Sequence, residues 1–421
     1  MSETDLERRR RLLGPAYRLL YADPVRPLRG EGVWLVEADG RRLLDAYNNV
    51  PAVGHCHPRV VSALARQAGL LNTHTRYLHD TVLDYAERLL ATCPPEIGQV
   101  MFTCTGSEAN DLALRVARTV TGGTGVIVTA NAYHGVTAAL AEMSPSLGPG
   151  VPLGAHVRTV AAPGGRGLDP RQAGARFARD VAAALDDLAG AGLRPAALIF
   201  DTLFTSDGVY PDPPGVVAEA VAAVRRAGGL VIADDVQAGL GRTGTHMWGF
   251  ARHGLVPDLV TAGKPLGGGH PVAALMARPG HLAEFGARSR YFNTFGGNPV
   301  SAAVGLAVLD VVRDEALMER AAVTGRHLAG RLAAVAARHP ALLGAVRGAG
   351  LYLGIDAADG ATAARIVEGL RRAGVLVGLC GAAADILKIR PPLVFGPDHA
   401  DLLADRLDTV LASLGAARAA Q

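Results

Sequence analysis

The sequence predicts an α/β protein in which a large domain, built on a mainly parallel doubly wound sheet, is joined to a smaller α+β domain. Three observations predict it. Between residues 55 and 300, apolar runs of strand length alternate with helical stretches, the pattern of βα units that cover a parallel sheet on both faces. At 421 residues the chain exceeds one ordinary core, so a second domain is expected. Apolar residues make up 49% of it and charged residues 19%, which suits a globular enzyme and not a disordered chain.

Taken in order, the chain opens with a short polar helix that carries the basic cluster Arg8 to Arg11 beside Glu3, Asp5 and Glu7. No apolar run of signal-peptide length follows, so it reads as a solvated helical start and not as a targeting segment. Residues 30–44 alternate apolar side chains about Ala38-Asp39-Gly40-Arg41, a hairpin pattern. Strands are predicted at 100–103, 125–129, 197–200, 230–233, 259–262 and 272–276, and a helix at 299–313. Beyond residue 315, helices mix with short strands near 350–355 and 387–389. The expected division is 1–54 as an N-terminal part of the small domain, 55–300 as the large domain and 301–421 as its C-terminal remainder. No internal repeat is visible.

Composition excludes several function classes. The 42 basic and 39 acidic residues leave a net charge of only +3, so neither a nucleic acid nor a membrane surface is expected as partner. No apolar run reaches the ~18 residues of a membrane span. Cys56, Cys93, Cys104 and Cys380 show no paired spacing, which suits free thiols in a reducing, cytoplasmic setting. Of the basic residues, only Lys264 and Lys388 are lysines. Arginine stays protonated and forms no imine, so side-chain amine chemistry has two candidates.

Five segments carry candidate chemistry. Thr105-Gly106-Ser107-Glu108-Ala109-Asn110 follows a strand and opens a helix, where exposed N–H groups and the helix dipole make a phosphate seat; its plainer reading is an N-cap supplied by Ser107. Asp234, at the carboxyl end of a buried strand, sits where ligands bind in open α/β sheets, and could equally cap the next helix. Lys264 lies just past another strand, bracketed by glycines that let a bulky ring approach the backbone. Tyr133 and His134 follow strand 125–129 and bring an aromatic ring to the same edge, for stacking or for ordinary packing. Thr294, in the loop 291–299 ahead of a helix, suits a phosphate contact. Two further patterns lack context. Gly239-Leu240-Gly241-Arg242-Thr243-Gly244 matches a dinucleotide fingerprint, but no helix begins inside it. His55-Cys56-His57 has no partner pair at ligand spacing, so no metal is expected.

Together these segments resemble the class-III aminotransferases over nearly the whole chain, in the order G-S-E-A-N, Y-H-G, D-[ED]-V-Q-x-G-x-G-R-T-G, G-K-P-x-G-x-G and N-T-[FY]-G-G-N-P. The resemblance implies the aspartate-aminotransferase type of fold (fold type I), pyridoxal 5'-phosphate (PLP) as cofactor, and a homodimer with active sites at the subunit interface. It assigns the cofactor phosphate to Gly106 and Ser107, ring stacking to Tyr133 with His134 beside it, the pyridine nitrogen to Asp234, the neighbourhood of the ring hydroxyl to Gln237, and the covalent imine to Lys264. Thr294 is implied to reach the phosphate of the neighbouring subunit. Catalysis falls to Lys264, Asp234 and Tyr133. Transamination, from a primary amine or amino acid to a keto acid or aldehyde, is the expected reaction. The alternative is elimination of phosphate and ammonia from an amine phosphate such as phosphoethanolamine. Ser206 stands where glutamate-using members carry an acid, and Lys388 where they carry a carboxylate-binding arginine; lysine suits phosphate better than a bidentate carboxylate clamp. Residues 48–50, 54–60, 71–80 and 387–392 look closest to the amine-phosphate phospho-lyase branch, which makes Asn49, Tyr77, Lys388 and Arg390 the expected substrate contacts.

Overall fold

The computed structural model describes residues 4–419. Its centre is a seven-stranded sheet formed by β1 (Gln99–Thr103), β2 (Gly125–Thr129), β3 (Val157–Val160), β4 (Pro195–Asp201), β5 (Leu230–Asp234), β6 (Leu259–Ala262) and β7 (Ala273–Ala277). The spatial order is β1-β7-β6-β5-β4-β2-β3. Only β7 runs against the rest, pairing antiparallel with both β1 and β6. Successive residues of the central strands face opposite sides. Thus Val126, Val128, Ile199 and Ile232 pack with the helix Gly106–Thr121, while Ile127, Leu198, Phe200 and Val231 pack with Phe177 and Val181 of the helix Ala173–Gly190. Burial on both faces is why these strands read as continuous apolar runs.

All six predicted strands are present within two residues of their expected ends. The edge strand β3 was not predicted: it has four residues, and Arg158 and Thr159 reach the surface, so no apolar run announces it. The predicted hairpin is Trp34–Glu37 with Arg42–Asp45, extended by Pro27–Glu31 on one side and by Val375–Leu376 on the other. That last pairing joins the two ends of the chain in one sheet. A further antiparallel sheet, in the order Leu343–Ala349, Tyr352–Ala357, Ile386–Ile389, Gly378–Cys380, is backed by the helices Leu317–Arg338, Gly360–Arg372 and Pro397–Ala419.

The two decoy patterns have structural uses. Residues 239–244 form turns with no helix inside. His55 Nε2 lies 2.7 Å from buried Asp45, and His57 Nε2 lies 2.9 Å from Glu315. Among the described residues no cluster of His, Cys, Asp and Glu is arranged to hold a metal ion, and no helix is long and apolar enough to cross a membrane.

Candidate active site

The carboxyl ends of β5 and β6, the helix Gly106–Thr121 and the loops after β2 and β4 surround a cleft of about 340 Å³. Asp234 ends β5 in parallel register with Thr261 of β6, and Lys264 lies three residues further along the chain. Both line this cleft, with Gly106, Ser107, Tyr133, His134 and Gln237.

Asp234 is buried and accepts three hydrogen bonds, which leaves Oδ1 an open lone pair. Its Oδ2 accepts from Asn110 Nδ2 at 2.9 Å and from His134 Nδ1 at 2.8 Å, and its Oδ1 accepts from the Val236 N–H at 3.2 Å. Since a carboxylate only accepts, His134 carries its proton on Nδ1. Its Nε2 is buried without a partner. Asn110 also donates to the His134 carbonyl at 2.8 Å and accepts from Thr261 Oγ1 at 2.5 Å, tying the helix to two strand ends. Lys264 opens the turn Lys264–Gly267 with φ of +30°, a conformation that strains a residue bearing a side chain. Burial, assisted by Arg390, holds its amine below the usual lysine range, against the opposing pull of Asp234 and Asp201. The amine has no hydrogen-bond or ion-pair partner among the described residues.

The helix start is capped by Thr105, not by Ser107. Thr105 Oγ1 accepts from the Glu108 N–H at 3.1 Å while Glu108 Oε2 accepts from the Thr105 and Cys104 N–H groups, both at 2.9 Å, a capping box. Ser107 is thereby free to face the cleft, where its hydroxyl accepts from the Val136 N–H at 3.2 Å. Glycine is required around it: a Cβ on Gly135, whose φ is +147°, would come within 2.7 Å of Ser107 Oγ, and one on Gly106 would lie 3.0 Å from the Val236 methyls. This is an anion seat at the positive end of a 16-residue helix.

A second cavity of about 400 Å³ adjoins the cleft and shares Tyr133, Gln237 and Lys264 with it. Lys388, Arg390, Asn131, Ser146 and Ser206 complete its polar lining. Burial and the neighbouring Arg390 bring Lys388 down to about 8, and Lys388 has no ion-pair partner among the described residues. Arg390 Nη1 donates to Asn49 Oδ1 at 2.7 Å and Gln237 Oε1 at 2.8 Å. Asn49 is therefore buried behind Arg390. Ser206 and Asp207 are held by the loop after β2: Asn131 Nδ2 donates to the Ser206 carbonyl, and Asp207 accepts from Thr129 Oγ1 and the Asn131 N–H. Burial pushes the Asp207 carboxyl up to about 6.

Three expected residues line neither cavity: Thr294 and Tyr77 are exposed, and Asn49, expected to touch substrate, is buried behind Arg390 instead. Sequence reasoning assigned no role to Asn110, Asp201, Thr205, Asp207 or Tyr352. For Asn110 a signal existed: four positions after Gly106 on a helix, it faces the same way.

The residues present fit PLP. A ring-pairing carboxylate, an unpartnered amine and a glycine-walled anion seat open on one cleft, and the ring of Tyr133 borders it. The family model described as aminotransferase class-III matches residues 21–411. The chain is 36% identical to the alanine–glyoxylate aminotransferase 2-like protein of Drosophila melanogaster, over 95% of this chain and 85% of that one. It is 34% identical to ethanolamine-phosphate phospho-lyase homolog 1 of Caenorhabditis elegans, over 97% and 93%. Among solved structures, a phospholyase from Arthrobacter in complex with phosphoethanolamine shares 44% identity and a TM-score of 0.93, covering 97% of this chain and 99% of that one. The PMP-bound form of an aminotransferase from Vibrio fluvialis shares 25% identity with a TM-score of 0.84, covering 99% and 96%. The chain is a PLP-dependent enzyme of the class-III aminotransferase family, with the fold-type-I architecture that its sequence predicts.

Proposed function

We propose that, within this family, the enzyme eliminates phosphate and ammonia from a short primary amine carrying phosphate on the adjacent carbon, the class that includes phosphoethanolamine. The observation that carries this reading is the second cavity: Lys264, Lys388 and Arg390 line it and no carboxylate does. A dianion suits that charge, and lysine serves phosphate as a point charge. Arg390 Nη1 is held by Asn49 and Gln237, while its buried Nε has no partner among the described residues and stays available to an anion. The 44% identity to a phospholyase in complex with phosphoethanolamine supports the same reading.

Gly106 and Ser107 would hold the cofactor phosphate, Asp234 the pyridine nitrogen with His134 behind it, Tyr133 the ring face, and Lys264 the covalent link. When bound, PLP supplies an electron sink for the substrate carbon that bears nitrogen. Lys264, displaced by the incoming amine, takes the proton from that carbon on Nζ, and the burial that lowers its proton affinity favours the free-base form that can do so. Lys388 and Arg390 stabilise the charge that grows on the phosphate as its bond to the adjacent carbon breaks. Water then releases ammonia and an aldehyde. Transamination to a keto acid is the second reading, favoured by the 36% identity to an alanine–glyoxylate aminotransferase 2-like protein. Incubation with phosphoethanolamine and no keto acid separates them: elimination releases phosphate and ammonia in equal amounts, whereas amine loss that requires added pyruvate or glyoxylate assigns transamination.

We further propose a homodimer. Leu70, Leu71, Tyr77, Leu78, Phe292 and Phe295 are exposed, Leu78 to 94%, and His74 stacks on Tyr77 and meets Phe292 edge-on. This apolar face carries Thr294 and Tyr77, which a second copy would bring to the cleft they do not line in their own chain.

A further inference from the structure

We infer that Thr205 is a positioning residue that relays the negative charge of Asp201 to the Gln237 amide and so aims Arg390 at the substrate cavity. Gln237 borders both cavities, and both ends of its amide are engaged. Its Nε2 donates to Thr205 Oγ1 at 2.7 Å, while its Oε1 accepts from Arg390 Nη1 at 2.8 Å and from the Tyr352 hydroxyl at 3.1 Å. The Thr205 hydroxyl has one proton, and it goes to Asp201 Oδ2, which also accepts from the Thr205 N–H at 3.0 Å.

The polarity of the chain follows from these donors and acceptors. Burial pushes the Asp201 carboxyl up, opposed by hydrogen bonds from the Thr205 hydroxyl and from the Leu203 and Thr205 N–H groups; as a carboxylate it only accepts, so the Thr205 oxygen presents lone pairs to Gln237, and only the amide nitrogen can answer, which turns the amide oxygen toward Arg390 and Tyr352. The result is a relayed ion pair, Asp201 to Thr205 to Gln237 to Arg390, in a chain where Arg390 has no carboxylate of its own. Without the hydroxyl the Gln237 NH₂ loses its acceptor, the amide is held at its oxygen end alone by Arg390 and Tyr352, and the hold on Arg390 loosens. The relay's consequence for substrate rests on the anion-binding reading of the cavity; its consequence for Gln237 does not.

The test compares holoenzyme of the wild type with Thr205→Val, Thr205→Ala and Thr205→Ser. Inorganic phosphate is titrated by calorimetry, and the visible absorbance of the bound cofactor, beside which Gln237 lies, is followed against pH. Val and Ala are expected to raise the phosphate Kd roughly five- to tenfold, the scale of one hydrogen bond between neutral groups, to raise KM more than they change kcat, and to shift the pH midpoint of the absorbance change. Ser, which keeps the hydroxyl, restores wild-type behaviour in all three. Wild-type affinity and spectrum in Val and Ala, or an equal loss in Ser, would overturn the assignment. Ala carries the comparison if Val does not fold. Failure of phosphate to bind the wild type rejects the anion reading of the cavity, and the absorbance comparison then decides the role of Thr205 alone.

Discussion

Lys264 and Lys388 border the same cavity, yet their surroundings give them different work. Arg390 and Asp201 act on both, but Asp234 acts on Lys264 alone, whereas the thiol of buried Cys380 acts on Lys388. Lowered to about 8, Lys388 is charged below that pH and neutral above it, so it attracts an anion on the acid side only. The affinity of the holoenzyme for inorganic phosphate is therefore expected to fall as pH rises from 7 to 9. In Lys388→Arg, whose charge persists, this loss should flatten; an unchanged profile would remove Lys388 from the anion site. Lys264 was legible in the sequence because lysine is almost absent from it, which made one residue in a glycine turn conspicuous. Thr205 and Asp201 were not, because a threonine and an aspartate in a loop carry no periodicity, and their roles exist only once Gln237 and Arg390 arrive from distant parts of the chain.

The helix Gly106–Thr121 shows how an element prepares a site. Its capping box satisfies the first N–H groups from Thr105 and Glu108, which leaves the seat at Gly106 and Ser107 rigid and open. Thr105→Ala is expected to destabilise the apo protein by about 1 kcal/mol in denaturant unfolding and to weaken PLP affinity. A Ser107→Ala protein should lose affinity with little change in stability, since Ser107 is not the cap. The T-x-x-E pattern was readable at 105–108, but the adjacent glycine and serine drew attention as the phosphate seat. The central strands were equally readable, being buried on both faces. The edge strand Val157–Val160 escaped because half of its side chains meet solvent, and the pairing of Val375–Leu376 with Arg42–Asp45 escaped because partners some 330 residues apart leave no local trace.

At the scale of the whole molecule, the cleft is complete within one chain except for the expected contributions of Thr294 and Tyr77, which face outward beside exposed Leu78. A charge placed in that face should separate the copies of the proposed homodimer. Leu78→Arg is expected to sediment as a monomer and to lose most of its activity while keeping the circular dichroism of the wild type; a variant that stays dimeric would place the interface elsewhere. The central claim is that the amine in the cleft with Asp234 carries the cofactor, and the two-lysine composition makes it directly measurable. Borohydride reduction of the holoenzyme, followed by digestion and mass spectrometry, should place the reduced cofactor adduct on Lys264 and leave Lys388 unmodified. An adduct on Lys388, or one that survives in Lys264→Ala, would contradict the account.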